Sequence, residues 1–72
     1  MKIKVLDENT MIIDREDLQR KFIIKYDYIK GTGIKNYFVN EYYNYFNEDN
    51  GNCYYGDYTT IEKALLDIQE EN

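Results

Sequence analysis

The stretch Lys21–Ile29 alternates without a break. Phe22, Ile24, Tyr26 and Tyr28 fall on one side of an extended chain, and Ile23, Lys25 and Asp27 on the other. Residues two apart share a face of a strand, so this pattern, rich in β-branched and aromatic side chains, predicts a strand with one face to bury. Such a strand needs neighbours and a cover, and the rest of the chain is read for both.

Lys2–Leu6 also alternates, with Ile3 and Val5 opposite to Lys2, Lys4 and Leu6, and Met11–Ile13 can return beside it after the turn residues Asp7-Glu8-Asn9. Asp14 is expected to cap a short helical turn through Leu18 and Arg20. Gly31-Thr32-Gly33 suits a hairpin loop. Lys35–Phe46 fits two periods: Phe38, Tyr42, Tyr45 and Phe46 at helical spacing, or Tyr37, Val39, Tyr43 and Tyr45 as a strand with one bulge. The preceding hairpin signal favours the strand. Asn50-Gly51 marks a sharp turn, and Cys53-Tyr54-Tyr55 a short returning strand.

Thr59–Glu71 reads as a helix. Thr59 is placed as the N-cap with Glu62 three residues on, the spacing of a capping box. Ile61, Ala64, Leu65 and Ile68 then form one apolar stripe. Glu70 and Glu71 oppose the helix dipole and are expected to lie in a solvated tail. The expected architecture is a single α+β domain over residues 1–72: a small antiparallel meander of four or five strands, with one C-terminal helix packed on one face.

A chain of 72 residues has little interior. Domains of this size bury about 60% of their unfolded surface, and stability scales to roughly 4–10 kcal/mol. A binding surface is therefore expected rather than an enclosed pocket. Histidine and serine are both absent, which excludes histidine general bases, histidine metal ligands and serine nucleophiles. Glu48-Asp49-Asn50-Gly51-Asn52 lacks the first and closing ligands of a calcium loop. No catalytic, metal or cofactor residue is assigned, and the chain is not read as an enzyme. Cys53 is alone and is expected half-buried in a strand; a small domain with no disulfide suits a reducing cytosol, and cytoplasmic residence is expected. The start, Met1–Val5, lacks the apolar run of a signal peptide, and no stretch has the length of a membrane span.

The charges are divided by position. Residues 1–35 hold eight bases and six acids, and the bases there read as an ordinary solvated surface. Residues 36–72 hold one base, Lys63, against eight acids, together with seven of the nine tyrosines. Tyrosine offers large contact area with few rotors and a polar tip. Adjacent tyrosines on a strand, Tyr42-Tyr43 and Tyr54-Tyr55, must point to opposite faces, so one of each pair faces away from the helix. The residues expected to bind a partner are Glu41, Tyr42, Tyr43, Tyr45, Glu48, Asp49, Tyr54, Tyr55 and Asp57, with Glu41, Glu48, Asp49, Asp57, Glu62 and Asp67 on one contiguous face. A net charge of −5 disfavours direct binding to nucleic acid or anionic membranes. The expected partner is a basic, nucleic-acid-binding protein, which the chain would inhibit by occupying its basic groove.

In size, charge and composition the chain resembles the small acidic proteins that phages use against host nucleases, anti-CRISPR proteins among them. No motif carries the likeness. The load of asparagine, lysine, isoleucine and tyrosine suggests AT-rich coding, as in a low-GC bacterium or its phage. The alternative reading is a self-associating structural or regulatory accessory protein, a homodimer formed through the aromatic sheet face or a tyrosine-rich edge.

Overall fold

The computed structural model describes all residues 1–72. Five antiparallel strands, β1 (Lys2–Asp7), β2 (Thr10–Arg15), β3 (Arg20–Tyr28), β4 (Lys35–Tyr42) and β5 (Asn52–Tyr58), lie side by side in chain order. A 3₁₀ turn, Glu48–Asn50, interrupts the β4–β5 connection, and one helix, α1 (Ile61–Gln69), closes the chain. The expected antiparallel meander with a single C-terminal helix is the observed fold, with five strands in an open sheet.

The alternation in β3 decides which face the helix covers. Ile13 pairs with Phe22 and Ile24 with Val39 across neighbouring strands. These four side chains meet Ala64 and Ile68 of α1 in a core where none is more than 1% exposed. Met11, Tyr37, Tyr55, Tyr58, Ile61 and Leu65 pack around it. The stripe read at helical spacing is thus the buried face of α1. Tyr26, Tyr37 and Tyr58 continue the covered face as a cross-strand row, with the first two rings stacked at 4.5 Å between centroids.

The helix reaches only part of the sheet. Ile3 and Ile13 are direct partners on the same face, yet Ile13 is fully buried and Ile3 is 51% exposed. Every residue of β1 is exposed. α1 lies over β4 and β5, and β1 is beyond its reach.

Four local expectations are corrected. Asp14 and Arg15 complete β2, and Glu16–Gln19 form a turn closed by Leu18 N donating to Arg15 O and Gln19 N to Glu16 O, in place of a helical turn. Gln19 takes a left-handed conformation, φ 52°, to close that turn. The N-cap of α1 is Thr60, whose hydroxyl accepts from Lys63 N; Thr59 lies one residue outside, and Glu62 loses the reciprocal capping position. Cys53 is exposed on the outermost strand.

The fourth correction concerns the arginines and the C-terminal acids. Arg15 is 8% exposed, and its guanidinium donates to Ile68 O at 2.5 Å and Gln69 O at 3.0 Å. It thereby satisfies carbonyls left unpaired at the helix end, with a positive charge at the negative end of the dipole. Asp17 accepts the other edge of the same guanidinium at 2.8 and 3.0 Å. Arg20 is held by both oxygens of Glu41 and by Glu71. Glu71 is therefore anchored through Arg20, which offsets its unfavourable position on the helix. A solvated tail describes Glu70 but not Glu71.

The Ile3/Ile13 pair gives a direct test of helix coverage. Ile13→Val removes a methyl from a filled core and should cost about 0.5–1.5 kcal/mol. Ile3→Val should leave the urea midpoint nearly unchanged, because its side chain already faces water. Equal effects in urea denaturation would mean that β1 is covered like β2.

Candidate interaction surface

The nine residues assigned to partner binding fall into three places rather than one. Alternation in β4 turns Tyr37, Val39 and Glu41 toward the helix and Asn36, Phe38, Asn40 and Tyr42 toward the open face. Glu41 thus lies under the helix C-terminus, paired with Arg20 at 2.7 and 2.8 Å. Tyr55 joins it there: its ring packs edge-on against Phe22, 5.0 Å between centroids, and its hydroxyl donates to Glu71 at 2.7 Å.

The second group is the β4–β5 loop, which folds back over the open face. Tyr45 donates its hydroxyl to Asp14 on β2 at 2.9 Å. Lys21 of β3 lies over the Tyr45 ring, 5.0 Å from its centroid, and reaches Glu48 at 3.2 Å. Phe46 packs edge-on against Tyr45 but is otherwise 78% exposed. Asn47 caps the 3₁₀ turn by accepting from Asp49 N. Asp49 is exposed on that turn, and Tyr43 is 69% exposed at the start of the loop, against Gly51. Tyr42 is half-buried, and burial beside Glu48 raises its pKa.

The third group lies along β5. The β4–β5 register shifts between Val39 and Asn40, so that Val39 faces Gly56 while Asn40 faces Tyr54. The shift leaves Tyr55 as an extra residue, the signature of a β-bulge. It turns Tyr55 toward α1 and Tyr54 toward the open face. Gly56 has no room for a side chain: a Cβ there would stand 2.9 Å from the Tyr58 hydroxyl oxygen. The bare backbone lets the Tyr58 ring lie along the strand and reach α1.

All three tyrosines of β5 donate to carboxylates. Tyr54 donates to Asp57, Tyr55 to Glu71, and Tyr58 to Asp67 at 2.8 Å. These bonds orient the carboxylates without neutralising them. The tyrosine pKa values rise accordingly. That of Tyr54 rises through the bond to Asp57, that of Tyr55 through burial and then the bond to Glu71, and that of Tyr58 goes to about 12 through burial and then the bond to Asp67. Glu71 is held below the usual carboxylate range by its bonds from Tyr55 and Arg20.

The acids left without a basic partner gather at the β5 edge from both sides of the sheet: Asp57 on the open side with Tyr54, and Glu62, Asp67 and Glu70 on α1 across from it, with Lys63 the one base. Sequence reasoning missed that Tyr58, Asp67 and Glu71 form pairs with one another and with Tyr55. The pairings join residues 9 and 16 positions apart, and the bulge that aligns them leaves no mark beyond Gly56. The expected contiguous acidic face is divided, because Glu41 and Glu48 are paired to arginine and lysine on opposite sides of the sheet. The largest cavity, about 460 Å³, is an open cleft around the β1–β2 turn, lined by Asp7, Glu8, Asn9, Thr10, Lys25, Tyr26 and Asp27. No helix is long and apolar enough to cross a membrane. Comparison with protein-family models, with curated proteins and with solved structures gave no match.

The raised Tyr58 pKa has a defined sign. Folding favours its protonated form, so its contribution is fully present below the unfolded value near 10 and is lost as pH rises through about 12. Tyr58→Phe should therefore flatten the fall in stability between those values. Absorbance titration of tyrosinate should lose a step near pH 12. If the wild type and Tyr58→Phe give parallel stability profiles through this window, the Tyr58 hydroxyl is neither buried against α1 nor bonded to Asp67.

Proposed function

We propose that this protein binds a basic, nucleic-acid-binding protein through the β5 edge and α1, and inhibits it by occupying the groove that would hold nucleic acid. The observation that carries the reading is the set of tyrosine–carboxylate pairs on β5 and α1. Tyr54–Asp57 and Tyr58–Asp67 set negative charges at fixed positions on an exposed surface.

A nucleic-acid groove selects for spaced, fixed negative charge, since duplex DNA carries about one charge per 1.7 Å of its axis. A flexible carboxylate must lose side-chain freedom on binding, whereas one already held by a tyrosine hydroxyl loses less. Exposed Tyr54 supplies amphipathic area for desolvated contact. The acids steer association and make it sensitive to salt. Glu41 and Glu48 contribute less to this surface, because arginine and lysine already neutralise them. Tyr43 and Asp49, exposed on the β4–β5 loop, extend the reading toward the open face. A phage anti-defence or anti-CRISPR-type role, acting in a bacterial host cytoplasm, is the setting that suits such a protein.

The test compares wild type with Asp57→Lys/Asp67→Lys as immobilised baits in lysate of a low-GC bacterium. The wild type should retain a nucleic-acid-binding protein that moderate salt releases and that added duplex DNA displaces. The reversed variant should lose it by tenfold or more. Equal retention by the two baits, or a bound protein indifferent to DNA, would overturn the proposal.

A further inference from the structure

We propose that β1 is a self-association edge, through which two copies of this chain join their sheets antiparallel about a two-fold axis. The inference rests on a surface separate from β5 and α1, at the opposite edge of the sheet.

Three observations meet at β1. Its outer edge has no strand partner, so the outward backbone groups of its regular part, as far as the irregularity between Val5 and Asp7, are free to pair. With the preceding Met1 it also concentrates exposed apolar surface: Met1, Ile3, Val5 and Leu6 are 48–67% exposed. Ile3 and Val5 lie on the helix-bearing side, beyond the reach of α1, and none of these residues belongs to the core. Scattered apolar residues on a surface need no explanation, but a cluster on an unpaired edge marks a site of association.

The third observation selects the occupant. The strand and its turn read Lys2-Ile3-Lys4-Val5-Leu6-Asp7-Glu8, basic at one end, apolar in the middle and acidic at the other. Such a segment is complementary to itself when run antiparallel. With the two-fold axis at Val5, Lys2 of each copy falls opposite Glu8 of the other, in place of its exposed pairing with Glu16 at 2.8 Å, and Lys4 falls opposite Leu6, beside Asp7. The lysines of the two copies avoid directly opposed positions, where like charges repel. Ile3 and Val5 of both copies then form one apolar strip on the helix-bearing side. Lys2 and Lys4 project from the open side and leave that strip uninterrupted. The β5 edge is the poorer candidate for pairing with itself, since it would bring Asp57 and the acids of α1 against their own copies.

The arrangement is isologous and closes on itself as a dimer. It yields a continuous ten-stranded sheet with both β5 edges at its outer ends, so each dimer would present two copies of the acidic surface.

Sedimentation equilibrium from low micromolar to millimolar protein tests this. The wild type should pass from monomer to dimer mass. Val5→Lys places a charge in the apolar strip at a site outside the core and should weaken association at least tenfold with an unchanged circular dichroism spectrum. Lys2→Glu should weaken it as well, and Lys2→Glu/Glu8→Lys should restore it. Asp57→Lys/Asp67→Lys, which tests the other surface, should leave the mass distribution unchanged. A monomer throughout the range would overturn the proposal. So would a dimer that survives Val5→Lys, or one that only Asp57→Lys/Asp67→Lys dissociates.

Discussion

A nine-residue helix cannot cover a five-stranded sheet, and most of this structure follows from that mismatch. Five strands span roughly 19 Å across the sheet from first to last, while a helix with its side chains is about 10 Å wide. α1 must choose which strands to cover. It lies over β4 and β5 and closes a core with Ile13 of β2, Phe22 and Ile24 of β3 and Val39 of β4. β1 is left held to β2 alone, with its apolar side chains in water.

The helix is fixed at its C-terminal end by charge as well as by burial. Arg15 reaches the last helical carbonyls and Arg20 ties Glu41 of β4 to Glu71 beyond the helix. Each arginine stands at an end of the β2–β3 hairpin, directly opposite the other in register. The sharp turn at Glu16–Gln19 thus places two guanidinium groups where the helix ends. This explains why two arginines of a near-neutral N-terminal half carry so little exposed charge. Their positive charge is absorbed by the helix end, Asp17, Glu41 and Glu71, and the acids farther along β5 and α1 keep theirs.

The same asymmetry separates the two surfaces. The β5 side is crowded by tyrosines whose hydroxyls hold carboxylates, and the β1 side is apolar and unpaired. The first is the proposed seat of a partner with a basic groove, and the second the proposed seat of another copy. The two surfaces occupy opposite edges of one sheet, so binding at either leaves the other open.

Much of the fold was legible in the residues. The alternation of Lys21–Ile29, the Gly31-Thr32-Gly33 loop, the Asn50-Gly51 turn and the stripe Ile61, Ala64, Leu65 and Ile68 each act over a few residues, and each appears where its period places it. Charge and tyrosine content were equally plain along the chain. Tertiary structure alone decided which acids stay free. Glu41 and Glu48 are indistinguishable from Asp57 and Asp67 by composition, but the fold, through sheet register for Glu41, the returning β4–β5 loop for Glu48 and the seat of α1 for Asp67, brings Arg20 and Lys21 to the first two and tyrosine hydroxyls to the others. It decided likewise that Ile3 would be exposed and Ile13 buried, since identical side chains on one face differ only in what the helix is wide enough to cover. Local patterns set the type of each element because they depend on nearest neighbours along the chain. Ion pairing and coverage depend on neighbours in space, which the bulge in β5 and the seat of α1 determine.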